Sequence, residues 1–423
     1  MKIVSERSVL RGDVLVPTSK SHTIRAVTLS TLAHGRSTIH RPLVASDCLA
    51  AVGAGRLFGA RIDVGDAWSV EGVGGVPSVP ENVVDVKNSG TTLNFFMGTA
   101  GLVDGTTVLT GDEQIVRRPV QPLIEALRGL GAEAYSTRNN GLPPVVVKGR
   151  LKGGKTRFRG IVSQYVSSLL INCPLVERDS ELEVYDVHEK PYIRMTLGWL
   201  DRQGIRYEAS EDLTRFKIAR GQSYQGQEVT IAGDFSSATF FLVAGAIVDG
   251  DITLLGLDMK DLQGDKEVVS YLREMGAEIT LGKDGIRVRG GKLKGVELDL
   301  ADTPDALPAM AVAGCFARGK TIIRNVANAR LKETDRITVM ARELGRLGAR
   351  AEELSDGLVI QESSLKGCLV RGYGDHRVVM ALAVAGLAIP GATEVDTAES
   401  VQVTFPNFVE LMEGLGAKMR KVE

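Results

Sequence analysis

Residues 128–134 read RGLGAEA, and the segment before them carries apolar side chains at Val120, Leu123, Ile124, Leu127 and Leu130. That spacing predicts a helix with one buried stripe, and Gly131 supplies the left-handed residue that ends it. A short extended stretch follows. The phrase recurs as RLFGARI at 56–62, DRQGIRY at 201–207, REMGAEI at 273–279, GRLGARA at 345–351 and EGLGAKM at 413–419. The terminating glycines, Gly59, Gly131, Gly204, Gly276, Gly348 and Gly416, stand 72, 73, 72, 72 and 68 residues apart. The chain is therefore six copies of one unit.

A second helix recurs in each copy and is apolar nearly all round, at 26–33, 93–103, 165–173, 239–248, 307–316 and 378–389. A helix without a polar face must be buried. Five of the six turn at Gly35, Gly105, Gly250, Gly319 and Gly391, with Asp179 in the third copy, and run into a β-rich phrase such as 321–324. Each unit is a buried helix, strands, an exposed amphipathic helix and a further strand. The fold class is α/β (α+β), and six units divide into three plus three. At 423 residues the chain exceeds the size of one growing core, so two domains are expected.

Hydrophobic residues make up 43% of the chain, aromatic residues only 5%, and there are 48 glycines, which indicates aliphatic packing with many tight turns. The net charge of -1 excludes a whole-protein field attracting nucleic acid or an anionic membrane. Cys48, Cys173, Cys315 and Cys368 lack CxxC spacing and read as buried thiols. No secretory pattern or membrane-length apolar run is seen, so a soluble, cytoplasmic protein is expected.

The repeat alone would suit a scaffold or ring clamp. It does not explain the polar clusters before the buried helices: SKSHTIR at 19–25, KNSGTT at 87–92, SQY at 163–165, DFSSAT at 234–239, DTPDALP at 302–308 and GDHR at 374–377. Helix N-termini offer free N–H groups and partial positive charge, so they suit phosphate and carboxylate. If three such helices run parallel in each half and the halves face each other, up to six ends converge on a polyanionic ligand. Two more clusters, VRRP at 116–119 and RLKETDR at 330–336, open amphipathic helices. In the latter, Lys332 and Arg336 are four apart and would share a helical face.

The ordered phrases Ser19-Lys20-Ser21 with Arg25, Asn88-Ser89-Gly90-Thr91-Thr92, Leu109-Thr110-Gly111-Asp112 with Arg118-Pro119, Lys332-Glu333-Thr334-Asp335-Arg336 and Gly374-Asp375-His376-Arg377 carry a resemblance over the whole chain. The sequence resembles the enolpyruvyl transferases and, within them, the shikimate-pathway synthases. The resemblance implies a two-lobed, inside-out α/β barrel with the active site in the cleft between lobes. The first lobe would span 15–232, and the second would combine 1–14 with 233–423. It implies transfer of the enolpyruvyl group of phosphoenolpyruvate to the 5-hydroxyl of shikimate 3-phosphate by a monomer, with small-molecule substrates and neither nucleic acid nor membrane as partner.

By this resemblance Lys20, Gly90, Arg118, Arg336, His376 and Arg377 would hold phosphoenolpyruvate. Ser21, Arg25, Ser163, Gln164, Asp305, Asn328 and Lys332 would hold shikimate 3-phosphate. The residue types agree, since arginine forks bind carboxylate and phosphate in bidentate geometry. Lys20, Asp305 and Glu333 are the candidates for proton transfer, each among charges able to move its pKa toward the working range. Asp305 would be the base toward the hydroxyl. No cofactor is expected and no metal is needed, because the cations already stabilise an anionic adduct. His22, His34, His40, His188 and His376 show no ligand spacing.

Ile24, Asn94, Val162, Glu189 and Val403 depart from the family pattern, each removing a polar contact usual there. A transferase acting on a UDP-sugar usually has lysine-asparagine near the N-terminus and cysteine five residues before Arg-Pro. Here Lys20-Ser21 and Glu113 stand instead. RNA-cyclase relatives would need a histidine nearer the C-terminus than His376, and a clamp on nucleic acid would need a basic stripe.

Overall fold

A computed structural model describes residues 1–283 and 285–423. The chain divides into two compact bodies, Thr18–Ile231, and Met1–Pro17 with Ala232–Glu423. Each body contains three four-stranded sheets, one per repeat.

The second repeat shows the plan. Val84–Asp85 leads through the buried helix Gly90–Ala100 to Thr106–Thr110, and the two strands pair in parallel. Parallel neighbours need a long crossover, which the helix supplies. The amphipathic helix Gln121–Gly129 then leads into the hairpin of Glu133–Ser136 and Val145–Lys148, whose second strand pairs antiparallel with Thr106–Thr110.

Three sheets complete this plan with a strand from elsewhere in the chain. Glu228–Thr230 lies parallel to Arg36–His40, and Leu10–Leu15 lies parallel to Gly250–Leu255. Lys2–Glu6 pairs with both Thr393–Val395 and Lys418–Val422. These pairings are why the first residues belong with Ala232–Glu423.

The amphipathic stripe is buried as its period requires: Val120, Leu123, Ile124, Leu127 and Leu130 are all 1% exposed or less. All six terminating glycines have positive φ, from 66° at Gly204 to 104° at Gly59, so a side chain there would be strained. The helix Gly90–Ala100 is buried at every residue. In each body the buried helices pack on one another, while the sheets alternate buried and exposed residues, as in Glu133–Ser136. Helices therefore fill the core and sheets face outward. Cys48, Cys173 and Cys315 are buried, but Cys368 is only half-buried, next to the edge strand Leu369–Val370, which corrects the expectation for that thiol. Among the described residues no helix is long and apolar enough to cross a membrane.

Five buried helices start earlier than their apolar runs: Lys20–Leu32, Gly90–Ala100, Ser163–Asn172, Phe235–Ile247 and His376–Gly386. Their polar clusters are first turns rather than preceding loops, because side chains cap them. Ser19 accepts from the His22 N–H at 3.4 Å and Ser89 from Thr92 at 3.3 Å. Asp234 accepts from Ser237 at 2.9 Å and Asp375 from Arg377 at 2.9 Å. This corrects the picture of six open anion-binding ends, since carboxylates already occupy some of them.

Candidate active site

In the body Thr18–Ile231, the first helical turns supply most of the candidates. Lys20, Ser21 and Arg25 lie on one helix, Gly90 opens the next, and Ser163 and Gln164 open the third. Lys20 Nζ is 3.2 Å from Asp47 Oδ2, a buried carboxylate at the start of the helix Ser46–Leu57 that sequence reasoning missed. Arg25 is 2% exposed and donates Nε to Thr196 Oγ1 at 2.9 Å, Nη1 to the Ser21 carbonyl at 3.0 Å and Nη2 to the Tyr192 carbonyl at 3.0 Å. Its guanidinium lies over Phe95 at 5.2 Å. Burial lowers the Arg25 pKa to about 10, so it stays protonated at neutral pH.

Arg118 follows the short turn Ile115–Arg117, and its guanidinium lies against Gly90. A Cβ on Gly90 would stand 2.6 Å from Arg118 Nη1 and 3.8 Å from Gln164 Oε1, so these three residues lie side by side. Asn94 Nδ2 donates to Gln164 Oε1 at 2.8 Å, and Gln164 Nε2 donates to Thr91 Oγ1 at 3.0 Å. The amide of Gln164 is thereby oriented from both ends.

The second body gathers the remaining candidates around Asp305, which sits in the turn Pro304–Ala306 before the fifth buried helix. Arg336 is fully buried. It donates to both oxygens of Asp375 at 2.8 and 3.2 Å, to Asp305 Oδ1 at 2.6 Å and to Glu333 Oε2 at 2.6 Å. Arg377 Nη2 reaches Asp305 Oδ2 at 3.0 Å, and Lys332 Nζ stands 3.9 Å from Asp305 Oδ1. Lys332 and Arg336 thus meet at one oxygen, though not by sharing a helical face. Asp335 caps the helix Arg336–Arg346 by accepting from Thr338 at 3.1 Å, so the helix begins only at Arg336. Asn328, in the turn Ala327–Leu331, and His376, first in its helix, are both buried.

Burial opposes ionisation of Asp305, but Arg377, Lys332 and Arg336 outweigh it and hold the carboxyl far below its usual range. This is opposite to the shift expected of a general base. Burial likewise works against charge on Arg336, and Asp375, Glu333 and Asp305 reverse it, raising its pKa.

The turn Gly264–Glu267, beside the fourth buried helix, contributes a group that was missed. Asp265 is fully buried and accepts a hydrogen bond from Ser236. Burial and the nearby Asp305 raise its pKa to about 6, against the lowering influence of Arg377. Its phrase, QGD at 263–265, occupies the place in the repeat where RLKETDR stands in the next copy, the one sequence cue that could have found it.

The model of the EPSP synthase (3-phosphoshikimate 1-carboxyvinyltransferase) family matches residues 4–412. The 3-phosphoshikimate 1-carboxyvinyltransferase of Acetivibrio thermocellus is 54% identical over 424 residues, covering 100% of both chains. That of Ruminiclostridium cellulolyticum is 50% identical over 418 residues and 99% of each. The structure of EPSP synthase from Acinetobacter baumannii superposes with a TM-score of 0.84 over 100% of both chains at 25% identity. With its six repeats and both clusters of charged side chains, the chain belongs to the EPSP synthase family.

Proposed function

We propose that this protein transfers the enolpyruvyl group of phosphoenolpyruvate to the 5-hydroxyl of shikimate 3-phosphate and releases phosphate, on the shikimate route to chorismate and the aromatic amino acids. The observation that carries the reading is the convergence of Arg336, Arg377 and Lys332 on Asp305, beside Glu333. It supplies cations for two anionic substrates together with carboxylates able to move protons.

Lys20, Gly90, Arg118, His376 and Arg377 hold phosphoenolpyruvate. Arg336 joins them through its remaining N–H, since four of the five guanidinium N–H groups already reach Asp375, Asp305 and Glu333. Ser21, Arg25, Ser163, Gln164, Asn328 and Lys332 hold shikimate 3-phosphate with Asp305. The acceptor hydroxyl gives its proton to Asp305 as its oxygen attacks C2 of phosphoenolpyruvate, while C3 gains a proton from Glu333 or Lys20. The tetrahedral adduct then loses the proton at C3 and expels phosphate by breaking the C–O bond.

The low pKa of Asp305 fits this scheme because it depends on cations that the substrate also needs. When the carboxylate and phosphate of phosphoenolpyruvate engage Arg377, Asp305 loses part of its stabilisation, and its pKa rises toward the working range. The base is activated by the arrival of its co-substrate.

The Cys173 and Cys315 thiols, pushed by burial to about 12, suit a reducing compartment, and we place the enzyme in the cytoplasm as a monomer. Phosphate release measured with both substrates, with each omitted, and with UDP-N-acetylglucosamine replacing shikimate 3-phosphate tests the reading. Release that needs both substrates supports it, and release with the UDP-sugar alone as acceptor contradicts it.

A further inference from the structure

Residues 371–375 link the short strand Leu369–Val370 to the helix His376–Gly386 without belonging to either. An irregular segment cannot pair its N–H groups along a ladder, so other groups must hold them. Here side chains do so. The Arg371 N–H donates to Glu343 Oε2 at 2.9 Å, the Gly372 N–H to Asp396 Oδ1 at 2.7 Å and the Gly374 N–H to Thr397 Oγ1 at 3.0 Å. Tyr373 has φ of 55°, in the left-handed region that a non-glycine residue occupies only when its surroundings hold it there. Its hydroxyl donates to Glu343 Oε1 at 2.9 Å and lies 3.4 Å from Arg342 Nη1.

Glu343 is fully buried, and both of its side-chain oxygens accept from this one segment. Arg346 Nε, on a half-exposed side chain, stands 3.5 Å from Oε2. Glu343 lies two turns beyond Arg336 on the same face of the helix Arg336–Arg346, about 10 Å along its axis. Arg336 forks to Asp375 at the other end of the segment. One helix therefore grips residues 371–375 at both ends. Immediately after the grip come His376 and Arg377, and Arg377 Nη2 reaches Asp305 Oδ2 at 3.0 Å.

We infer that Glu343, acting with the Tyr373 hydroxyl, is a positioning residue for phosphoenolpyruvate: it fixes the course of residues 371–374, and so sets where His376 and Arg377 point, without touching a ligand itself. This rests on phosphoenolpyruvate being the substrate that those two residues hold. The Arg336–Asp375 fork alone leaves the segment anchored at one end, and Glu343 supplies the second anchor. Asn328 and Lys332, which hold shikimate 3-phosphate, come from a different segment, at 327–332, so loss of Glu343 disturbs one substrate rather than both.

Steady-state phosphate release, with each substrate varied in turn, tests this. Glu343→Ala is expected to raise the KM for phosphoenolpyruvate about 10-fold or more, with that for shikimate 3-phosphate changed less than about twofold. Tyr373→Phe removes one hydrogen bond and keeps the ring, so it is expected to raise the phosphoenolpyruvate value about fivefold, and it carries the test if the alanine variant does not fold. Glu343→Gln can accept from the Arg371 N–H through its amide oxygen and donate to the Tyr373 oxygen through its amide nitrogen, and is expected to stay within about twofold of the parent for both substrates. A general loss of packing would not produce this split or this rescue. Equal rises in the two KM values, an unchanged phosphoenolpyruvate value in Tyr373→Phe, or a glutamine variant impaired as far as Tyr373→Phe would overturn the assignment. Absence of shikimate 3-phosphate-dependent release in the parent would overturn the substrate reading and the inference with it, whereas an active parent whose variants lack the split overturns the inference alone.

Discussion

Arg336 and Asp375 form a buried fork, Nε to Oδ2 at 2.8 Å and Nη2 to Oδ1 at 3.2 Å, with the two side chains 1% and 0% exposed. Oδ1 of Asp375 also caps the sixth buried helix through the Arg377 N–H. One carboxylate therefore ties the helix Arg336–Arg346 to the turn that presents His376 and Arg377. Removing Asp375 leaves two hydrogen bonds of Arg336 and the helix cap unmade while Asp305 and Glu333 still balance the charge, so Asp375→Ala should lower unfolding free energy by about 2–4 kcal/mol. Denaturant unfolding measures this, and a loss below about 1 kcal/mol would show that the fork does not stabilise the fold.

Gly90→Ala tests the contact with Arg118. The added Cβ would stand 2.6 Å from Arg118 Nη1, too close to coexist, and the guanidinium must move. The KM for phosphoenolpyruvate should rise about 10- to 100-fold, as misplacement of a positioning group by an ångström does, with little change in melting temperature. An unchanged KM would mean that Arg118 does not hold this substrate.

Much of this architecture was legible because it repeats. Gly131 and its five counterparts marked each helix end, and the all-apolar runs marked each core helix. Helix starts were less legible, since a capped first turn such as Lys20–Thr23 is polar and does not enter an apolar period. The partners were hidden for a different reason. Asp47 lies 27 residues from Lys20, Glu189 lies 26 from Ser163, and Asp265 lies 29 from Ser236, so only folding brings each to its partner. Lys332 and Arg336 were joined for the wrong reason, through a helix that Asp335 starts too late to include both.

Asp265 should leave a mark on stability against pH. Its folded pKa of about 6 lies above the ordinary carboxyl value of 3.8, so the native state favours the protonated form. The resulting penalty is absent below the unfolded pKa, grows as pH rises between the two values, and is complete above about 6. Asp265→Asn should therefore match the parent near pH 3.8 and exceed it in stability above pH 6, by about 1–3 kcal/mol. Unfolding curves across this range check it, and a variant equally destabilised at every pH would show that the carboxyl is needed for its shape rather than penalised for its charge.

Glu333 accepts from Arg336 Nη2 at 2.6 Å, a bond that a glutamine oxygen can also accept. Glu333→Gln should preserve the geometry while removing the proton-transfer group, lowering turnover by about 100-fold or more with ligand binding nearly intact. Near-normal turnover would remove Glu333 from the mechanism.

The central claim is that the enolpyruvyl group moves and the phosphate departs with its bridging oxygen. Phosphoenolpyruvate labelled with heavy oxygen at the C–O–P bridge distinguishes this from phosphoryl transfer, because only C–O cleavage leaves the label on phosphate. In the presence of shikimate 3-phosphate, mass spectrometry of the released inorganic phosphate is predicted to show the heavy isotope, with none released when the acceptor is omitted. Unlabelled phosphate, or labelled phosphate formed without shikimate 3-phosphate, would contradict the account.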